Sequence, residues 1–226
     1  FTINSIYSDK DGNLFDPFNG KKDLENGTIN FIGDAAKRIK EDYLRILRYL
    51  RFFLYYSKQP HNLEIIKSLK INIGGVSKLS KERLLDELKK IIKIDILEKI
   101  TKDKFSLELI LMIFPELKNI KIFSKLSKSN KDLLKEKDFI FLLSLMIVDD
   151  SDNTDYFLYK FNLFNEAKNK INFLKNIFFK PITSNTFSKK NLWKIFYYHG
   201  KKNLEDMINF QIFRSKKIDI KLIEFL

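Results

Sequence analysis

RIKEDYLRILRYLRFF, running from Arg38 to Phe53, decides how the chain is read. Asp42, Arg45, Arg48 and Arg51 recur at three-residue intervals, with Glu41 beside the first, and Tyr43, Leu44, Ile46, Leu47, Leu50 and Phe53 fill the gaps. A helix turns about 100° per residue, so each such step falls about 60° short of a full turn. The polar residues therefore form a slowly winding row on one side of a helix whose other side is apolar. A carboxylate followed one turn later by a guanidinium fork offers an acceptor and donors side by side, with further cations beyond. That arrangement suits the hydrogen-bonding edge of a nucleobase and its phosphates. From spacing alone, an ordinary solvated, salt-bridged helix face is the better account of the row.

Around this stretch the composition is that of a folded protein: 226 residues, 44% hydrophobic and 31% charged, enough to bury a core. The net charge of +13 points to a polyanionic partner such as nucleic acid, although an AT-rich genome would also raise Lys, Asn, Ile and Phe together. The absence of cysteine excludes disulfides, thiolate catalysis and Cys-based zinc sites. His61 and His199 lie far apart among Lys and Tyr and are read as non-ligands. No apolar run approaches the roughly 18 residues that span a bilayer. The longest, Phe139 to Val148, has the length of a buried core helix.

Strand signals are confined to the first residues. Thr2 to Tyr7 and Asn13 to Phe15 flank a turn at Asp9 to Gly12, and Thr28 to Ile32 is a third β-prone run. From Asp34 onward the pattern is helical. Asp34 caps a short helix, and Glu41 and Asp42 occupy the first turn of a main helix that runs to Ser57. Further helices follow over Asn62 to Leu69, after Ser80, over Asp95 to Lys99 and over Ser106 to Phe114. The acidic loop Asp149 to Asn153 lacks the Gly and Glu of a calcium loop. Thr154 and Asp155 cap one helix reaching Phe178, and Ser188 caps another that ends at Gly200. Packing in a core is the expected role of the aromatic residues near the C-terminal end, Trp193 and Tyr197 included.

Several of these segments resemble the class II tRNA nucleotidyltransferase family, which includes CCA-adding enzymes and bacterial poly(A) polymerases. Phe1-Thr2-Ile3-Asn4 resembles the end of the RRDFTxN motif. Asp11-Gly12, Asp16, Gly20 and Asp23-Leu24 match the hairpin and loop that follow it. Glu41-Asp42-Tyr43-Leu44-Arg45-Ile46-Leu47-Arg48 matches EDxxRxLR, and Ser80-Lys81-Glu82-Arg83 resembles the S-x-E-R helix. The match is dense over residues 1–53 and thins to patterning over residues 115–226.

The resemblance implies a mainly α fold in a seahorse-like arrangement. Residues 1–33, a β-hairpin and a short strand, would be the C-terminal remnant of an α/β nucleotidyltransferase head. Residues 34–115 would form a helical neck that reads the nucleotide and binds RNA, and residues 116–226 a helical, tRNA-binding body and tail. The implied activity is addition of CCA to tRNA 3′ ends from CTP and ATP. A poly(A) polymerase, a CC- or A-adding relative and a non-catalytic RNA-binding protein are the alternatives. Asp42 and Arg45 would read the base, Arg48 and Arg51 would touch phosphates or steady that pair, and Asn4, Arg38 and Glu41 would support the site. Asn4 is expected to order the hairpin, and Arg83 to pair with Glu82. The catalytic, magnesium-binding carboxylates would lie in a head preceding Phe1, so no catalytic residue or metal ligand is assigned here and this chain alone is expected to be inactive. The implied partners are tRNA, ATP and CTP and no membrane. The implied compartment is the cytoplasm of a bacterium, or the mitochondrion or nucleus of a eukaryote.

Overall fold

The computed structural model describes residues 1–180 and 186–214. Two compact units divide the chain, Phe1–Ile113 and Phe114–Leu226.

The first unit opens with a 3₁₀ turn at Thr2–Asn4, then an antiparallel hairpin of β1 (Tyr7–Ser8) and β2 (Leu14–Phe15), with Tyr7 opposite Phe15. Asp9 closes the turn by accepting from Asp11 N–H at 2.9 Å and Asn13 N–H at 2.8 Å. Asp16 accepts from the N–H groups of Gly20 and Lys21, both at 2.8 Å, at the start of α1 (Gly20–Asn26). These carboxylates stabilise local backbone in the manner of Asx turns. The hairpin is as expected, but the longer strands are not. Thr2–Asn4 coils, and Thr28 to Ile32 joins no ladder. A lone extended segment has no strand edge to pair with, so side chains fix it instead. Ile29 and Phe31 are buried, and Asp23 accepts from Thr28 Oγ1 at 3.1 Å, Asn30 Nδ2 at 3.1 Å and Thr2 Oγ1 at 2.7 Å.

Helices follow: α2 (Ala35–Glu41), α3 (Arg45–Tyr56), α4 (Leu63–Asn72), a 3₁₀ segment at Ile73–Lys78, α5 (Lys81–Ile91), α6 (Ile94–Lys102) and α7 (Lys104–Ile113). The expected caps hold, with Asp34 accepting from Lys37 N–H at 2.7 Å and Ser80 from Arg83 N–H at 3.4 Å. The main helix, however, starts at Arg45, leaving Asp42 ahead of it. α3 is the axis of the unit: Ile46, Leu47, Tyr49, Leu50, Phe52 and Leu54 are buried, and α5 and α6 pack against it.

A polar relay crosses this core. Tyr49 Oη lies 3.0 Å from His61 Nδ1, and His61 Nε2 lies 3.0 Å from Asp103 Oδ1, which also caps Ser106 N–H at 2.7 Å. The His61 side chain is 5% exposed and stacks on Phe53. Burial, and then the Asp103 charge, push the Tyr49 phenol up.

In the second unit come a 3₁₀ segment at Ile120–Lys125, α8 (Lys128–Lys135), α9 (Phe139–Ile147), α10 (Asn153–Phe161), α11 (Asn165–Phe178) and α12 (Lys189–Arg214). α9 is buried from Phe141 to Ile147 and packs against α10, α11 and α12, as a helix that is apolar all round must. The single helix expected from Thr154 to Phe178 is two, because Asn162 adopts a left-handed φ of 41° that ends α10. Gly200, with φ 78° and ψ 170°, interrupts α12 where the sequence places a helix end. Buried Asp206 takes Lys137 at 2.8 Å and Lys170 at 2.6 Å, so the charges are paired where they leave water. The expectation of core packing fails for Trp193 and Tyr197, which are 57% and 81% exposed. Leu192, Leu204, Met207 and Ile208 fill that part of the core instead. Among the described residues no helix is long and apolar enough to cross a membrane.

Burial lowers the His61 pKa, and the neighbouring Asp103 only partly opposes this. An unfolded histidine titrates near about 6.5, so below that pH the unfolded state binds more protons than the native one and stability falls. Thermal melting should therefore drop between about pH 7 and pH 5, above the range where ordinary carboxylates titrate. The drop should be shallower in His61→Gln; an equal slope in both proteins would contradict a buried neutral imidazole.

Candidate functional site

The predicted nucleotide-reading residues gather where α2 hands over to α3. Asp42 leaves the helical conformation, with φ −152° and ψ 105°, and its Oδ1 accepts from Leu44 N–H at 3.1 Å. This local bond competes with helix continuation, which is why the three-residue row does not lie on one unbroken helix. The chain re-enters helix when Arg45 N–H donates to the Asp42 carbonyl at 3.0 Å.

Tyr43 fixes the handover from the side. Its ring packs so closely on Gly75 that a Cβ there would land inside the ring, and Lys78 Nζ sits 5.8 Å from the ring centroid. Gly75 is thus a seat for Tyr43 within the 3₁₀ segment.

The Asp42 and Arg45 side chains are each held by a neighbour rather than by one another. Arg83 Nη2, from α5, donates to both Asp42 oxygens, at 3.1 Å and 3.0 Å. Arg83 therefore pairs with Asp42 and not with Glu82. The side chains of Arg83 and Asp42 are 49% and 23% exposed, so the pair adds only about 0.2–1 kcal/mol of stability. Arg45 Nη1 donates to the Arg38 carbonyl and, at 2.6 Å, to Glu41 Oε2, which also takes Arg38 Nη1 at 2.7 Å. The Arg45 hydrogen bond, and then that of Arg38, hold the Glu41 carboxyl below its ordinary pKa against its desolvation. Among the described residues no hydrogen bond or ion pair joins the Asp42 side chain to the Arg45 side chain.

The other predicted residues separate. Arg48 is half-buried, and its side chain has no hydrogen-bond or ion-pair partner among the described residues. Arg38, Arg45 and Arg48 all lie near Phe1, so the three guanidiniums share one positive region. Arg51 Nε donates to Glu87 Oε1; Glu87 is 1% exposed and also takes Lys90 at 3.2 Å. Arg51 is thereby committed to the packing of α3 on α5. Asn4 is exposed, its side chain has no hydrogen bond among the described residues, and Asp9 orders the hairpin in its place. Sequence reasoning missed Arg83, Glu87 and Gly75 as partners of the site. All lie in the segment that the S-x-E-R resemblance covers or adjoins, but no local spacing names their partners.

No protein-family model matches the chain. Mitochondrial CCA tRNA nucleotidyltransferase 1 of Homo sapiens is 39% identical over 152 residues, covering 66% of this chain and 35% of that protein. The CCA-adding enzyme of Staphylococcus haemolyticus is 33% identical over 211 residues, covering 92% of this chain and 49% of that enzyme. The chain is similar to tRNA nucleotidyltransferases of the CCA-adding kind. It spans only 35% to 49% of the length of these two curated relatives. The fold agrees. The CCA-adding enzyme of Bacillus stearothermophilus, solved in complex with CTP, superposes with a TM-score of 0.64 at 17% identity, over 100% of this chain and 55% of that one. The Thermotoga maritima CCA-adding enzyme, solved with tRNA, gives 0.55 at 17% identity, over 100% of this chain and 62% of that one.

For a member of this family the implied metal is magnesium. Among the described residues no three His, Asp or Glu side chains converge to hold a metal ion, so these residues do not fit that site and no step is routed through it.

Removing Arg51 strands a buried Glu87 carboxylate with only an exposed lysine beside it. Arg51→Ala should lose about 2–3 kcal/mol in denaturant unfolding, while Arg51→Met combined with Glu87→Leu should recover much of it. A loss below about 0.5 kcal/mol, as for ordinary surface changes, would contradict this packing role.

Proposed function

We propose that this chain is the nucleotide-selecting and RNA-binding part of an enzyme that adds CCA to tRNA 3′ ends from CTP and ATP. The observation that carries this is the pre-set pair at the α2–α3 junction: Asp42 and Arg45 are each fixed by a neighbour and are not spent on one another. Cytosine and adenine both present an exocyclic amino donor beside a ring-nitrogen acceptor. Asp42 accepts from the first and Arg45 donates to the second. Uracil and guanine present a carbonyl and a ring N–H there, so both contacts become clashes of like groups, at about 1–3 kcal/mol for each buried group left unpaired. Arg48, with Arg38 beside it, supplies positive charge for the triphosphate, and Arg51 steadies the helix that carries the reader. Magnesium and the chemical step are assigned to a nucleotidyltransferase head, as the resemblance implies.

The tRNA side of the proposal rests on the second unit. Trp193 and Tyr197 are exposed on α12, beside an open cleft of about 740 Å³ lined by Lys180, Lys190, Lys194, Tyr198 and His199 among others. Cations beside exposed aromatic faces suit an RNA backbone and its bases. Lys190→Glu with Lys194→Glu should weaken tRNA binding and lower its salt dependence by about 1–2 in log–log slope. An unchanged slope would remove this cleft from the RNA path.

The function is tested by incorporation on tRNA lacking its terminal CCA, with the complete gene product and each nucleotide in turn. Ordered addition of two C and one A supports CCA addition. Runs of A alone would point to a poly(A) polymerase, and no incorporation to an RNA-binding protein. In the same assay Asp42→Ala should admit UTP while tRNA affinity holds. Retained discrimination against UTP would show that Asp42 does not read the base.

A further inference from the structure

Asp42 has its acceptor capacity almost fully assigned. A carboxylate offers about four lone-pair positions. Leu44 N–H takes one on Oδ1, and Arg83 Nη2 takes one on each oxygen, which leaves a single acceptor position, on Oδ2. Arg45 is limited in the same way: both Nη1 hydrogens go to the Arg38 carbonyl and Glu41, leaving the Nη2 and Nε edges open.

We infer that Arg83, which stands outside the reading segment on α5, is a positioning residue that sets base specificity through Asp42. It turns the carboxylate so that the one open position of Oδ2 faces incoming donors, matched to the single amino group of cytosine or adenine. Without Arg83 the carboxylate is tethered only through Oδ1 to Leu44 N–H, and its free oxygen can rotate or be met by water. Discrimination then fades because the acceptor is no longer fixed where a uracil carbonyl would be repelled. The pair is half-exposed, so its loss leaves the fold intact. Ser80, which caps Arg83 N–H at 3.4 Å, fixes the first turn of α5 and so where the guanidinium starts from. The inference rests on the base-reading role proposed for Asp42.

The test uses the complete gene product with Arg83→Gln, Arg83→Lys and Asp42→Asn, measuring kcat/KM for CTP, ATP and UTP together with tRNA affinity and melting temperature. In Arg83→Gln the CTP-over-UTP ratio should fall at least about tenfold, the size expected for one charged hydrogen bond, with tRNA affinity and melting near wild type. Arg83→Lys, which restores a cation without the rigid fork, should recover part of the ratio. Two results would overturn the inference: an unchanged ratio in Arg83→Gln when Asp42→Asn has lost it, or an equal loss with every nucleotide accompanied by a lower melting temperature. If Asp42→Asn itself keeps the ratio, the base-reading role fails and this inference with it.

Discussion

The bond from Leu44 N–H to the Asp42 carboxylate is the constraint on which the site depends. It ends α2 at Glu41, leaves Asp42, Tyr43 and Leu44 between the helices and lets α3 start at Arg45. An unbroken helix would carry Asp42 and Arg45 as rungs of one winding row. The break places Asp42 at a corner, where α5 can reach it with Arg83. The same corner turns Tyr43 onto Gly75, so the site is anchored from two directions by the segment that follows α4.

Packing supplies the rigidity behind this corner. α3 buries its apolar side against α5 and α6, and the Arg51–Glu87 pair joins α3 to α5 close to where Arg83 leaves α5. The Tyr49–His61–Asp103 relay ties the other side of α3 to the start of α7. Arg45 and Arg48 are half-buried on the remaining side of α3. Their positive field is only partly offset by Glu41, which serves Arg38 and Arg45 together.

Much of the fold was legible because its signals are local. Asp34 and Ser80 cap within three residues, Gly200 ends a helix by its own φ, and Phe139 to Val148 is apolar on every side. What escaped depends on partners distant in sequence or on competition between local bonds. Asp42 looks like a first-turn acid until its Asx bond to Leu44 is seen, and Asn162 looks like an ordinary polar residue until its left-handed φ splits a helix. The Arg83 side chain could reach Asp42 or Glu82, and only the tertiary arrangement decides. Trp193 and Tyr197 were expected inside because they are aromatic, yet Leu192, Met207 and Ile208 already fill that core. The candidate residues were named by resemblance, whereas their side-chain partners required the structure.

The most direct test of a pre-set reader is a crystal structure of the complete gene product with CTP and with ATP. The account predicts the exocyclic amino group on Asp42 Oδ2 and the ring nitrogen on the Arg45 guanidinium, with the Arg83–Asp42 and Glu41–Arg45 contacts kept in both complexes. A base bound away from Asp42 and Arg45, or a base that displaces Arg83 from Asp42, would contradict it.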